Sequence, residues 1–248
     1  MNSAQIAYPR IPEPKTQYLD NAYLNLSLAK QKFGNSNLVE TAGRTINFDN
    51  AVVIDIACGA GSSTVQLAKS LPNAYVVGID INPHAIALAR NLNSSSPLPN
   101  LEFRVADCHD LSGSAAYITC LDSLHHFDRV DELLKRVFQS LEPGGVFFFA
   151  DMDRDSLGCV SRVTHPNFVD RCYSAREKGE EHLLDFLVGR ERSSIGAIDV
   201  RALTVISLMA SYTKEEISDL IGNSGLMLIK IASEKIRYQG IAVKPDAD

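Results

Sequence analysis

With 248 residues, 45% of them hydrophobic and 22% charged, the chain can close a sizeable core and is neither a disordered tail nor a staple-dependent mini-protein. Its 24 basic against 30 acidic residues leave a formal charge of −6, so no net field draws it to phosphate backbones or anionic membranes, and nucleic acid and membrane are set aside as partners. The 5 cysteines are odd in number and include no CxxC pair, which argues against a disulfide framework and a zinc knuckle and for reduced thiols.

The opening MNSAQIAYPRIPEPK lacks a basic flank followed by an apolar run, and no later stretch nears the roughly 18 apolar residues of a membrane span. A soluble, cytoplasmic protein is expected. Residues 18–33 place Leu19, Tyr23, Leu26 and Ala29 at helical spacing, behind Pro12 and Pro14. AVVIDIA at 51–57 is a short β-branched run that meets glycines at once, the pattern of a fully buried strand. A regular alternation follows: helix 63–70, strand 74–80, helix 83–92 opened by Pro83, strand 101–107, strand 116–122, helix 130–141, the turn Pro143-Gly144-Gly145 and strand 146–151. That order predicts parallel βαβ units.

Between 152 and 212 no strand pattern occurs, and helical periodicity over 168–188 and 199–209 predicts an inserted helical cap. Thr213 and Glu216 spell a capping box, and the runs at 226–232 and 235–243 predict a closing hairpin. The expectation is one domain: a helical segment over 1–50, a core over 51–151, a cap over 152–212, and a terminal helix and hairpin over 213–248. Its fold class is α/β, a Rossmann-like, seven-stranded, mostly parallel sheet with an antiparallel C-terminal edge hairpin.

The turn in VIDIACGAGSST at 53–64 joins the first strand to the first helix, where Gly59 and Gly61 let a ligand approach the backbone and the helix start offers free N–H groups. Asp80 ends the second strand, where an acid can accept from ribose hydroxyls. Asp55 can touch the ligand or order the turn, and Asp107 can bind it or cap a turn. These residues resemble the class I S-adenosylmethionine-dependent methyltransferases, whose first motif reads here Asp55-Ile-Ala57-Cys-Gly59-Ala-Gly61, with Ala57 in place of a glycine. The resemblance runs through TCLDSLHHF at 119–127 and LEPGGVFFFAD at 141–151. It implies S-adenosylmethionine as cofactor and S-adenosylhomocysteine as product. It also implies that Gly59 and Gly61 flank the cofactor's amino-acid end, that Asp80 holds the ribose with Ile81 beside it, and that Asp107 takes the adenine amino group next to the backbone of Cys108.

A dinucleotide would need Thr64 where close helix-to-strand packing calls for a third glycine. For chemistry, the exit of the fourth strand offers Asp122, His125 and His126, histidine being the residue that titrates near neutrality. Adjacent histidines are expected to point apart, so that at most one faces the substrate. The DMDRD run at 151–155 reads as a solvated strand-end turn, and no metal is expected. The expected function is methyl transfer to a small-molecule substrate at O, N or C. The alternatives are an enzyme that uses the same cofactor without transferring its methyl, and a non-catalytic cofactor-binding module.

Overall fold

The computed structural model describes residues 8–12, 48–157, 168–178 and 200–246, so the helix expected at 18–33 and the part of the 168–188 pattern beyond residue 178 lie outside the described residues. Seven strands form one sheet: β1 (Val52–Ile56), β2 (Tyr75–Asp80), β3 (Leu101–Val105), β4 (Ala115–Leu121), β5 (Leu141–Met152), β6 (Met227–Glu234) and β7 (Arg237–Val243), in the order β3-β2-β1-β4-β5-β7-β6. β1 pairs in parallel with β2 on one side and β4 on the other, which explains why it is apolar and β-branched at every position but Asp55. β7 is antiparallel to both β5 and β6, so the closing hairpin sits where the sequence places it.

Six helices accompany these strands among the described residues: α1 (Ser62–Ser70), α2 (Pro83–Asn93), α3 (Val130–Ser140), α4 (Phe168–Glu177), α5 (Val200–Ala210) and α6 (Lys214–Asn223). Leu133, Leu134 and Val137 of α3 and Ile217 and Ile221 of α6 bury one face of the sheet with Ile118, Phe147 and Phe149. On the other face Leu67 and Ala68 of α1 pack with Val53, Val76 and Phe148. α2 starts where expected because Asn82 accepts from the His84 backbone N–H at 2.9 Å and Pro83 needs no donor. The Thr213–Glu216 capping box is present at α6.

Two differences from the sequence reading have clear causes. β5 begins at Leu141 rather than after the Pro143-Gly144-Gly145 turn, because Gly144 N–H donates to the Lys244 carbonyl and Lys244 N–H to that of Gly145, both at 2.9 Å. Residues beyond β7 thus extend the ladder across the turn. DMDRD is no solvated turn: Asp151, Asp153 and Arg154 are all buried. Arg154 donates to the carbonyls of Tyr8 (2.8 Å) and Ser211 (2.6 Å) and pairs with Glu216, which lets a charge sit inside the protein.

A short strap, residues 8–12, crosses this region. Ile11 N–H donates to Met209 at 2.9 Å, Ile11 packs with Met152, Val169 and Leu208, and Tyr8 stacks on Tyr173 with ring centroids 5.1 Å apart. Arg10 lies over the Tyr212 ring, 4.3 Å from its centroid, and donates to the carbonyls of Ala210 (2.6 Å), His125 (3.2 Å) and Phe127 (3.2 Å). Arg10 thus ties the end of α5 to the exit of β4.

Candidate active site

Neighbours of β1 lead to opposite halves of the sheet, so the topological switch point lies between β1 and β4, at whose carboxyl ends open α/β sheets bind ligands. The chain leaves β1 through three left-handed residues, Ala57 (φ 53°), Gly59 (φ 55°) and Gly61 (φ 80°). For Ala57 that conformation costs about 1 kcal/mol, a strain the single added methyl does not advertise in the sequence. Gly61 also serves packing: a Cβ there would lie 2.4 Å from the Phe103 ring, so glycine is what lets α1 approach β3.

Asp55 orders this turn. Its Oδ2 accepts from the hydroxyls of Ser63 (2.8 Å) and Thr64 (2.7 Å), near the start of α1, and burial pushes its pKa up to about 6. A carboxyl that holds its proton more tightly folded than unfolded stabilises most fully below the ordinary value of 3.8, and this contribution declines as pH rises through about 6. Asp55→Asn is therefore expected to gain stability relative to the parent between pH 5 and pH 8, by roughly 1–3 kcal/mol, as read from denaturant melts at the two values. An unchanged difference between the two proteins would show that Asp55 titrates normally.

Asp80 clasps the turn from the neighbouring strand. Its Oδ2 accepts from Gly59 N–H and its Oδ1 from Asn82 N–H, both at 2.8 Å, while burial raises its pKa against these two bonds. The next residue, Ile81, is an isolated apolar side chain 64% exposed. Asp107 follows β3 and caps the one-turn 3-10 helix 108–110, in line with the capping alternative. Its Oδ1 accepts from His109 N–H at 2.9 Å, and that bond chiefly holds the carboxyl below its usual range. Cys108 is buried beside it, its thiol pushed up to about 12 by burial.

At the exit of β4 the three candidates for proton transfer fare differently. Asp122, in a left-handed conformation (φ 52°), is ion-paired to Arg237 of β7. His125 is buried, with Nδ1 2.6 Å from Asp151 Oδ1 and its backbone N–H donating to Asp151 Oδ2 at 2.9 Å. Asp151 also accepts from Met152 N–H at 2.7 Å. Burial would raise its pKa, yet the charge and hydrogen bond of His125 hold it below the usual range. His126 is half-buried, and its charge acts on Asp80 in the direction that lowers that acid's pKa. The two histidine rings do not diverge as expected. They lie on a 3-10 turn, Leu124–His126, with centroids 4.0 Å apart and planes tilted by 53°.

Sequence reasoning missed Arg10, Arg237 and His109. Arg10 and Arg237 stand far from the site in sequence, whereas His109 lies two residues after Asp107 and could have been found by asking what orients that acid. Among the described residues, the grouping of three potential metal donors within 4.8 Å of one another is Asp107, Cys108 and His109. Asp122 pairs with Arg237 and Asp151 with His125. No described helix is long and apolar enough to cross a membrane.

A family model described as a methyltransferase domain matches residues 47–183. The chain is 38% identical over 96 residues to trans-aconitate 2-methyltransferase of Deinococcus radiodurans, a match covering 39% of this chain and 36% of that protein's length. It is 24% identical over 212 residues to the ubiquinone biosynthesis O-methyltransferase of Xanthomonas euvesicatoria pv. vesicatoria, covering 84% of this chain and 82% of that one. Among solved structures, the plantazolicin methyltransferase BpumL in complex with a pentazolic desmethylPZN analog and SAH superposes with a TM-score of 0.63 at 16% identity, over 93% of this chain and 94% of that one. Magnesium protoporphyrin IX methyltransferase (ChlM) from Synechocystis PCC 6803 with bound SAH gives 0.57 at 16% identity, over 93% and 91%.

Proposed function

The chain belongs to the methyltransferase-domain family, as a class I S-adenosylmethionine-dependent enzyme, and from that premise we propose a small molecule as the methyl acceptor, at oxygen, nitrogen or carbon, with S-adenosylhomocysteine released. The observation that carries the site assignment is the clasped Asp80. Two backbone N–H groups, one from the glycine turn and one from the start of α2, fix a carboxylate beside the exposed Ile81. An acid for a ribose diol, an apolar side chain to pack against a base, and Asp107 one strand further on suit an adenosine. The side chain of Thr64 fits a dinucleotide poorly, being turned inward onto Asp55 in the narrow gap where α1 meets Gly78.

The bound cofactor supplies a methyl group on a sulfonium, activated for in-line displacement. The protein then has to hold the two reactants in line, exclude water and accept any proton the acceptor loses. We assign proton acceptance to His126, the half-buried member of the tilted ring pair, with Asp151 and His125 holding the turn that carries it. Asp122 takes a supporting place, paired with Arg237. The acidic charge of −6 favours a small acceptor over nucleic acid, and the name of the Xanthomonas relative makes oxygen the first acceptor atom to screen.

Calorimetric titration with S-adenosylmethionine, S-adenosylhomocysteine and NAD tests the cofactor half. Binding of the first two without NAD is expected, and binding of NAD alone would overturn the reading. A labelled-methyl screen of carboxylic acids and phenols then tests the acceptor half. On an acceptor found that way, His126→Ala should lower kcat by about 100-fold while S-adenosylhomocysteine affinity stays within about twofold. Unimpaired turnover would return His126 to a packing role.

A further inference from the structure

Two hydrogen bonds converge on a single oxygen of Asp107. Its Oδ1 accepts from the His109 backbone N–H and lies 2.9 Å from His109 Nδ1, each at the same distance. A carboxylate only accepts, so Nδ1 carries the proton in this contact. The backbone bond caps the short 3-10 helix, and the ring adds a second contact to the same carboxylate oxygen, its Nδ1 also lying 4.0 Å from the Cys108 thiol. The ring is itself confined. It meets the edge of Phe127 at 6.0 Å and 70°, and its Nε2 is buried with no hydrogen-bond partner among the described residues. Meanwhile the Asp107 side chain keeps 41% of its surface exposed. One oxygen is therefore held at two points on a side chain that stays partly open to solvent.

We infer that His109 is a positioning residue for cofactor recognition: it fixes the rotation of the Asp107 carboxylate so that the second oxygen is set to accept from the exocyclic amino group of adenine. This rests on the reading of Asp107 as the adenine-binding acid. Without the ring, the carboxylate is left with the His109 backbone N–H and the weak thiol donor of Cys108, and is correctly turned for only a fraction of the time. Apparent affinity falls by that fraction.

The test compares S-adenosylhomocysteine with its deaminated analogue S-inosylhomocysteine, in which an oxo group replaces the amino group, by calorimetry on the full chain. His109→Ala should weaken S-adenosylhomocysteine binding about five- to tenfold and leave the analogue within about twofold, so that discrimination between the two ligands shrinks. His109→Asn, which offers an amide N–H in place of Nδ1–H, should restore both values to within about twofold of the parent. In an Asp107→Ala background the further change His109→Ala should have no effect on discrimination. If Asp107→Ala leaves discrimination intact, the adenine reading of Asp107 fails and the inference with it. If Asp107→Ala abolishes discrimination while His109→Ala preserves it, or if His109→Asn behaves as His109→Ala, the reading stands and the positioning role is overturned.

Discussion

Asp80→Ala is expected to weaken S-adenosylhomocysteine binding by about 100-fold or more, the loss of two charge-assisted hydrogen bonds to a ribose diol at roughly 1.5–3 kcal/mol each, offset by water in the vacated space. The loss has a second source. The same carboxylate holds the Gly59 and Asn82 N–H groups at 2.8 Å, so its removal also frees the glycine turn and the start of α2. Asp80→Asn separates the two. The amide oxygen can keep one of the backbone bonds, but its NH2 cannot accept from the other N–H or from a hydroxyl; it should therefore lie between alanine and the parent. Calorimetry measures both affinities, and an unchanged value for Asp80→Ala would remove this acid from the site.

The largest effect on stability is expected at Asp151. It is fully buried and accepts from His125 Nδ1, His125 N–H and Met152 N–H. Asp151→Ala takes the acceptor from all three donors and removes the charge opposite His125. Breaking a buried pair from one side costs about 3–5 kcal/mol, a large share of the stability of a domain this size. The sign with pH follows from the depressed carboxyl. Its contribution is present above the unfolded value of 3.8 and is lost as pH falls below it through the folded value. Asp151→Asn should then be less stable than the parent at pH 7, and the gap should close in acid. Denaturant melts at pH 7 and pH 3 would reveal it, and equal melts at pH 7 would refute the buried-pair account.

The alternation of β-branched runs and amphipathic helices is readable because each period reports the face an element buries, and burial on a parallel sheet is a local demand repeated strand after strand. Gly59, Gly61 and Asp80 can be paired from sequence because a glycine turn and an acid after the next strand have a fixed spacing. Asp151 is misread for the opposite reason. DMDRD looks like a polar turn when only neighbours in sequence are considered, and its burial is explained by partners 26, 57, 62 and 146 residues away: His125 for Asp151, and Ser211, Glu216 and Tyr8 for Arg154. The left-handed Ala57 is equally hidden, since its alanine gives no sign of the backbone it must adopt.

The strap through Arg10 spans 200 residues to Ala210 and 115 to His125. Closing loops of that length is entropically costly and is repaid only when both ends of the contact already exist, so residues 8–12 are expected to dock late as the protein folds. What docks last on a finished surface also detaches first, by an opening that leaves the sheet intact. On warming, the carbonyls of His125 and Phe127 are expected to lose their tether while the core strands remain paired, so that methyl transfer fails below the melting temperature; activity and circular-dichroism melts run side by side check this, and coincident midpoints would refute it.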